Sequence, residues 1–123
     1  MKRAFPTTKI PEGNTLEVEV YYDLGGHNYF TGDQVPRGYY LSVSPVELGD
    51  GWRRYTSFSG KKKFLLEDTK RKSGKRLTAL WTSIEPKAEA IARAFEDRNY
   101  SRIVELARQT DGNAADAGEA DSA

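Results

Sequence analysis

From Thr15 to Tyr22 apolar and polar residues alternate, with Leu16, Val18, Val20 and Tyr22 on one face and Glu17, Glu19 and Tyr21 on the other. A period of two predicts a half-buried β-strand, and Asp23-Leu24-Gly25-Gly26 ends it. Alternation resumes at Gly38, placing Tyr39, Leu41 and Val43 opposite Tyr40, Ser42 and Ser44. Pro45 has no N–H for a ladder, which marks an edge or a bulge there. Gly49-Asp50-Gly51 signals a hairpin, and Trp52 to Phe58 returns as a third strand. Between the first two strands lies Gly25 to Tyr40, which holds turn glycines, several aromatics and the one histidine. Within it, Asn28 to Thr31 fits a further short strand and Gly32-Asp33 a tight turn.

The period then changes. Ser59 is placed to cap a helix starting near Gly60, with Phe64, Leu65 and Leu66 as its apolar content and Gly74 weakening or ending it. Leu77, Trp81, Ile84, Ala88, Ile91 and Phe95 recur at steps of four and three, the apolar stripe of an amphipathic helix, with Leu80 widening it. Pro86 interrupts the stripe without shifting its phase, which predicts a kink or a new first turn. Asp97-Arg98-Asn99 breaks the helix, and Tyr100, Ile103, Val104 and Ala107 mark a last one. The predicted fold class is therefore α+β. A three- or four-stranded antiparallel sheet (about 15–58) packs against two or three C-terminal helices (about 60–109). Residues 1–13 read as an extended N-terminal arm, 14–109 as a single α+β domain and 110–123 as a disordered acidic tail with four acids.

Composition narrows the function. The chain has 123 residues, 19 basic against 18 acidic, and no cysteine. The near-zero net charge gives no global field toward nucleic acid or membrane. The missing thiols exclude a disulfide framework, a thiolate nucleophile and a zinc ribbon. With a single histidine, no conventional transition-metal set is expected, and no cofactor is predicted. No apolar run approaches the ~20 residues of a membrane helix, and residues 1–13 lack the apolar core of a secretory signal. A cytoplasmic protein is the expectation.

Four constellations invite chemistry. His27 could act as a general base, but no nucleophile elbow accompanies it, and an exposed or turn histidine bonding a backbone group is the better explanation. Gly25, Gly26 and Gly32 match neither a P-loop nor a dinucleotide fingerprint; turns requiring positive φ account for them. Glu17 and Glu19 share one face of a strand, the ordinary pattern of a solvated sheet. The segment from Lys61 to Arg76 carries Lys61, Lys62, Lys63, Lys70, Arg71, Lys72, Lys75 and Arg76 against Glu67 and Asp68, and Arg53 and Arg54 precede it. Such a run suits phosphate contacts, although basic runs are also common on solvated helix faces. The aromatics Tyr21, Tyr22, Tyr29, Phe30, Tyr39 and Tyr40 divide between core and surface. The outward ones, beside Arg37, have the residue types of interface hot spots.

The runs Gly-Gly-His-Asn-Tyr-Phe-Thr-Gly, Pro-Arg-Gly-Tyr-Tyr-Leu-Ser-Val-Ser-Pro-Val-Glu and Phe-Ser-Gly-Lys-Lys-Lys-Phe-Leu-Leu-Glu resemble a family of small uncharacterised proteins. These are encoded on bacterial phages, plasmids and integrative elements, and the resemblance spans about residues 15–76. It implies a small accessory protein of a mobile element, a class that includes host-defence inhibitors and DNA-maintenance factors, and it brings no activity with it. The expected function is non-enzymatic: binding of a macromolecular partner, foremost a protein, through His27, Asn28, Tyr29, Arg37 and Tyr40. The alternative is nucleic-acid binding through Arg53, Arg54 and the basic residues of the Lys61–Arg76 helix.

Overall fold

A computed structural model describes residues 1–27, 29–55 and 60–108. The fold is α+β. Its central element is β5 (Gly38–Gly49), which carries the second alternating run and extends through Pro45. One side of β5 pairs antiparallel with β2 (Thr15–Asp23), in register from Thr15 opposite Val46 to Asp23 opposite Gly38. The far side of β2 takes β1 (Lys2–Pro6), so part of the expected N-terminal arm is an edge strand.

The other side of β5 is shared. β6 (Trp52–Tyr55) lies along Val46 to Gly49, and β7 (Lys62–Glu67) lies along Tyr39 to Val43. Among the described residues Pro45 has no ladder partner on that side, which suits its missing N–H. Among the described residues the main sheet thus has five strands, and a second sheet holds β3 (Gly26–His27) and β4 (Gln34–Val35). The expected third strand is found over Trp52–Tyr55, and Thr56 to Ser59 lie outside the described residues.

β7 corrects the expected helix near Gly60. Phe64, Leu65 and Leu66 are consecutive apolars without a helical period, and β5 has an open ladder for them. Leu41 takes Phe64 as its partner and Ser42 takes Lys63, with a bulge at Tyr39/Tyr40. Phe64 and Leu66 pack against the core, whereas Leu65 is exposed. The sheet therefore begins before residue 15 and continues past residue 58.

The helices start later than expected. α1 (Gly74–Ile84) is capped by Ser73, whose hydroxyl accepts from the Arg76 amide at 3.3 Å. Gly74 is thus a first-turn residue, not a helix end. A 3₁₀ turn over Glu85–Lys87 holds Pro86 in its first positions and leads into α2 (Ala88–Glu96), the break that a proline in phase with the stripe allows. Arg98 adopts φ 55, and the amides of Arg98 and Asn99 return to the carbonyls of Phe95 and Ala94. This Schellman-type ending stops α2. Asn99 then caps a final helix, α3, over residues 100–108 by accepting from the Arg102 amide at 3.2 Å.

The core lies between one sheet face and the helices. Leu16, Val18 and Val20 of β2 and Tyr39, Leu41 and Val43 of β5 join Leu80, Ile84, Ile91, Phe95, Ile103 and Leu106 in one buried cluster. Each fully buried side chain of this kind contributes about 1.5–3 kcal/mol. Tyr39 also ties the layers together, because its hydroxyl donates to the Ser73 carbonyl (2.9 Å) and accepts from the Ser73 amide (2.7 Å). The expected acidic tail lies outside the described residues.

Candidate functional site

The segment between β2 and β5 folds into a small hairpin that leaves the sheet. Its neck is tightly specified. Asp23 Oδ1 accepts from the Gly25 amide at 2.8 Å. Gly25 has φ 77, and a Cβ there would stand 2.8 Å from the Val35 carbonyl oxygen and the Arg37 nitrogen, so only glycine fits. Arg37 donates from Nε to the Leu24 carbonyl (3.3 Å) and from Nη1 to the Lys70 carbonyl (3.4 Å), lacing the neck to the segment that follows β7.

Above the neck, β3 and β4 pair Gly26 with Val35 and His27 with Gln34. Gln34 Nε2 donates to His27 Nδ1 at 3.1 Å, and the His27 ring meets Tyr29 edge-on with centroids 5.5 Å apart. The tip then presents Tyr29 at 91% exposure and Phe30 at 98%, with Leu24 at 71% near the base. Two adjacent aromatic rings are thus left in solvent at a hairpin tip, away from the core that takes Tyr39 and Phe95.

The sequence-predicted binding residues separate here. His27, Tyr29 and Arg37 belong to the hairpin, and Asn28 lies outside the described residues. Tyr40 does not belong: it is 5% exposed, and its hydroxyl donates to the Pro36 carbonyl at 2.6 Å. It lies on the sheet face away from the helices, as the alternation requires, but Tyr21 stacks on it at 6.1 Å and Lys63 Nζ lies 6.0 Å from its ring centroid. Phe30 and Leu24, exposed on the same segment, are not among the expected binding residues. Leu24 follows the first alternating run, and Phe30 falls in the short strand expected over 28–31, where residues 29–31 form a turn instead.

The basic segment is not one helix face. β7 sends its lysines to opposite sides of the sheet, with Lys62 Nζ 5.1 Å from the Tyr100 ring centroid on the helix side and Lys63 Nζ 3.3 Å from Asp23 Oδ2 on the other. Arg53 pairs with Glu17, and Arg76 with Glu67. Arg54, Lys61, Lys70, Arg71, Lys72 and Lys75 are exposed, the last four forming a basic rim beside the hairpin neck and the start of α1. Glu17 is a further correction. It is buried, because Lys2 (3.6 Å) and Arg53 close over it, rather than solvated like an ordinary sheet-face acid.

The face bearing Tyr21 and Tyr40 has distinctive electrostatics. Burial raises the pKa of Tyr21 and of Tyr40, with Asp23 reinforcing both. Burial and the nearby Lys63 lower Lys61. For Lys63 burial works against the ammonium, but Tyr21 and Asp23 outweigh it and the net shift is upward. Among the described residues no group of three His, Asp or Glu side chains is arranged to hold a metal ion, and no helix is long and apolar enough to cross a membrane. Comparison with protein-family models, curated proteins and solved structures returns no match.

Proposed function

We propose that this chain is a non-enzymatic accessory protein that binds a macromolecular partner, foremost a protein, through the 24–37 hairpin. The observation that carries the reading is the hairpin tip, with Tyr29 and Phe30 almost fully exposed above a neck fixed by Asp23, Gly25 and Arg37. A held loop with aromatic anchors binds with little ordering cost. Truncating one such anchor costs about 2 kcal/mol or more, roughly 30-fold in affinity. The sequence resemblance supports a role on a phage, plasmid or other mobile element, where host proteins, including defence systems, are the natural targets.

The test is affinity capture from extracts of the native host with wild type and with Tyr29→Ala/Phe30→Ala. One protein recovered by the wild type and lost with the double variant is expected. A photo-cross-linking side chain at Phe30 should then trap that protein, while one at the exposed Thr82 of α1 should not. Recovery of the same proteins by the double variant would remove the hairpin as the interface.

A second reading, nucleic-acid binding, is favoured by one observation, the exposed rim of Lys70, Arg71, Lys72 and Lys75. Affinity for random duplex DNA should then fall with salt, by about one log unit per log unit of salt for each phosphate contacted. Absence of binding at low salt would end this reading.

A further inference from the structure

At the end of β5 remote from the hairpin, a polar-lined cavity of about 260 Å³ opens between the sheet and the turn joining α2 to α3. Ile10 and Phe95 form its apolar side, Tyr100 a wall, and Glu12, Lys62 and Arg98 its charged lining. Lys62 rests over the Tyr100 ring, and neither Lys62 nor Arg98 has a carboxylate partner within ion-pair distance among the described residues. Arg98 carries a second signal. It holds the left-handed position that ends α2, with φ 55, where glycine or asparagine fits without strain. An arginine there costs stability, and Arg98 is an exposed residue of the cavity lining.

We propose that this cavity is a binding site for a small phosphorylated, hydroxyl-bearing compound. The two cations match a phosphate dianion, with the Arg98 fork suited to bidentate contact. Glu12 adds a carboxylate to the lining, an acceptor for a ligand hydroxyl. The volume lies just below the usual range for ligand pockets, which selects a sugar-phosphate-sized molecule over a dinucleotide. This site is independent of the hairpin and of any partner bound there.

The test uses the full chain, with ribose 5-phosphate, inorganic phosphate and unphosphorylated ribose followed by calorimetry and by the amide resonances of Arg98 to Tyr100. Saturable binding of the two phosphates, with ribose inert, is expected. Arg98→Gly should weaken binding at least tenfold and at the same time raise Tm by roughly 2–5 °C, because the strain is relieved. Lys62→Ala should weaken binding without that gain, and Glu12→Gln should tighten inorganic phosphate by removing a repulsion. The proposal is overturned if neither phosphate saturates at millimolar concentration, if ribose binds as well as ribose 5-phosphate, or if Arg98→Gly binds like wild type. A lower Tm for Arg98→Gly would equally overturn it, since the arginine would then be serving the fold.

Discussion

Ser42 shows how one position can oppose the fold that contains it. Its side chain is buried on the sheet face away from the helices, and its hydroxyl has no hydrogen-bond partner among the described residues. Leaving such a group unpaired costs about 1–3 kcal/mol, so Ser42→Ala should raise stability by roughly 1 kcal/mol in urea unfolding. An unchanged or lower midpoint would mean that the hydroxyl is satisfied. Its neighbours make the same face sensitive to alkali. Tyr21 and Tyr40 are raised from 10.0 and Lys63 from 10.5, so each holds its proton longer in the folded chain than in the unfolded one. Their contributions are complete below those ordinary values and are lost as pH climbs through the raised ones; Lys61, lowered from 10.5, acts oppositely. With three groups raised against one lowered, the urea midpoint should fall as pH rises past about 10, and Tyr40→Phe should flatten the fall. Tyr40 is also a poor probe of binding. Its truncation to alanine removes a buried ring, at about 3–5 kcal/mol on the scale for large aromatic side chains.

At the scale of elements, the junction between β5 and α1 rests on two side chains. Ser73 caps the helix, and the Tyr39 hydroxyl both accepts from and donates to the Ser73 backbone. Ser73→Ala should cost about 1 kcal/mol through the lost cap. Tyr39→Phe should cost about 1–3 kcal/mol, because the Ser73 amide loses its acceptor in a partly buried site. Denaturant unfolding of both variants checks this, and a Tyr39→Phe protein as stable as wild type would show that the bond contributes nothing. Elements with a clean period were legible from sequence: β2, the first part of β5, and the stripe from Leu77 to Phe95, including its interruption at Pro86. β7 was not. Its apolar residues form a run of three, in which neither period shows, and a serine and glycine just upstream imitate a helix start. Only the open flank of β5 makes Lys62–Glu67 a strand.

For the whole molecule, the hairpin should be separable from the fold. Tyr29 and Phe30 bury almost nothing, so Tyr29→Ser/Phe30→Ser should leave stability within about 0.5 kcal/mol of wild type while partner capture is lost. A large drop in the unfolding midpoint would show that the tip packs on the domain and is not reserved for a partner. The same separation explains what could be read in advance. Alternation and helical spacing determined the α+β class, the two long strands and the apolar faces, because those patterns are local and each burial choice repeats along the chain. Glycines and aspartate likewise marked the Gly25–Tyr40 segment as shaped. Tertiary structure alone decided which tyrosines the core takes, that Glu17 is covered by cations from two other strands, and that the basic run divides between two sheet faces and a rim. Those outcomes depend on which strand lies beside which, and pairing partners distant in sequence leave no period in the chain.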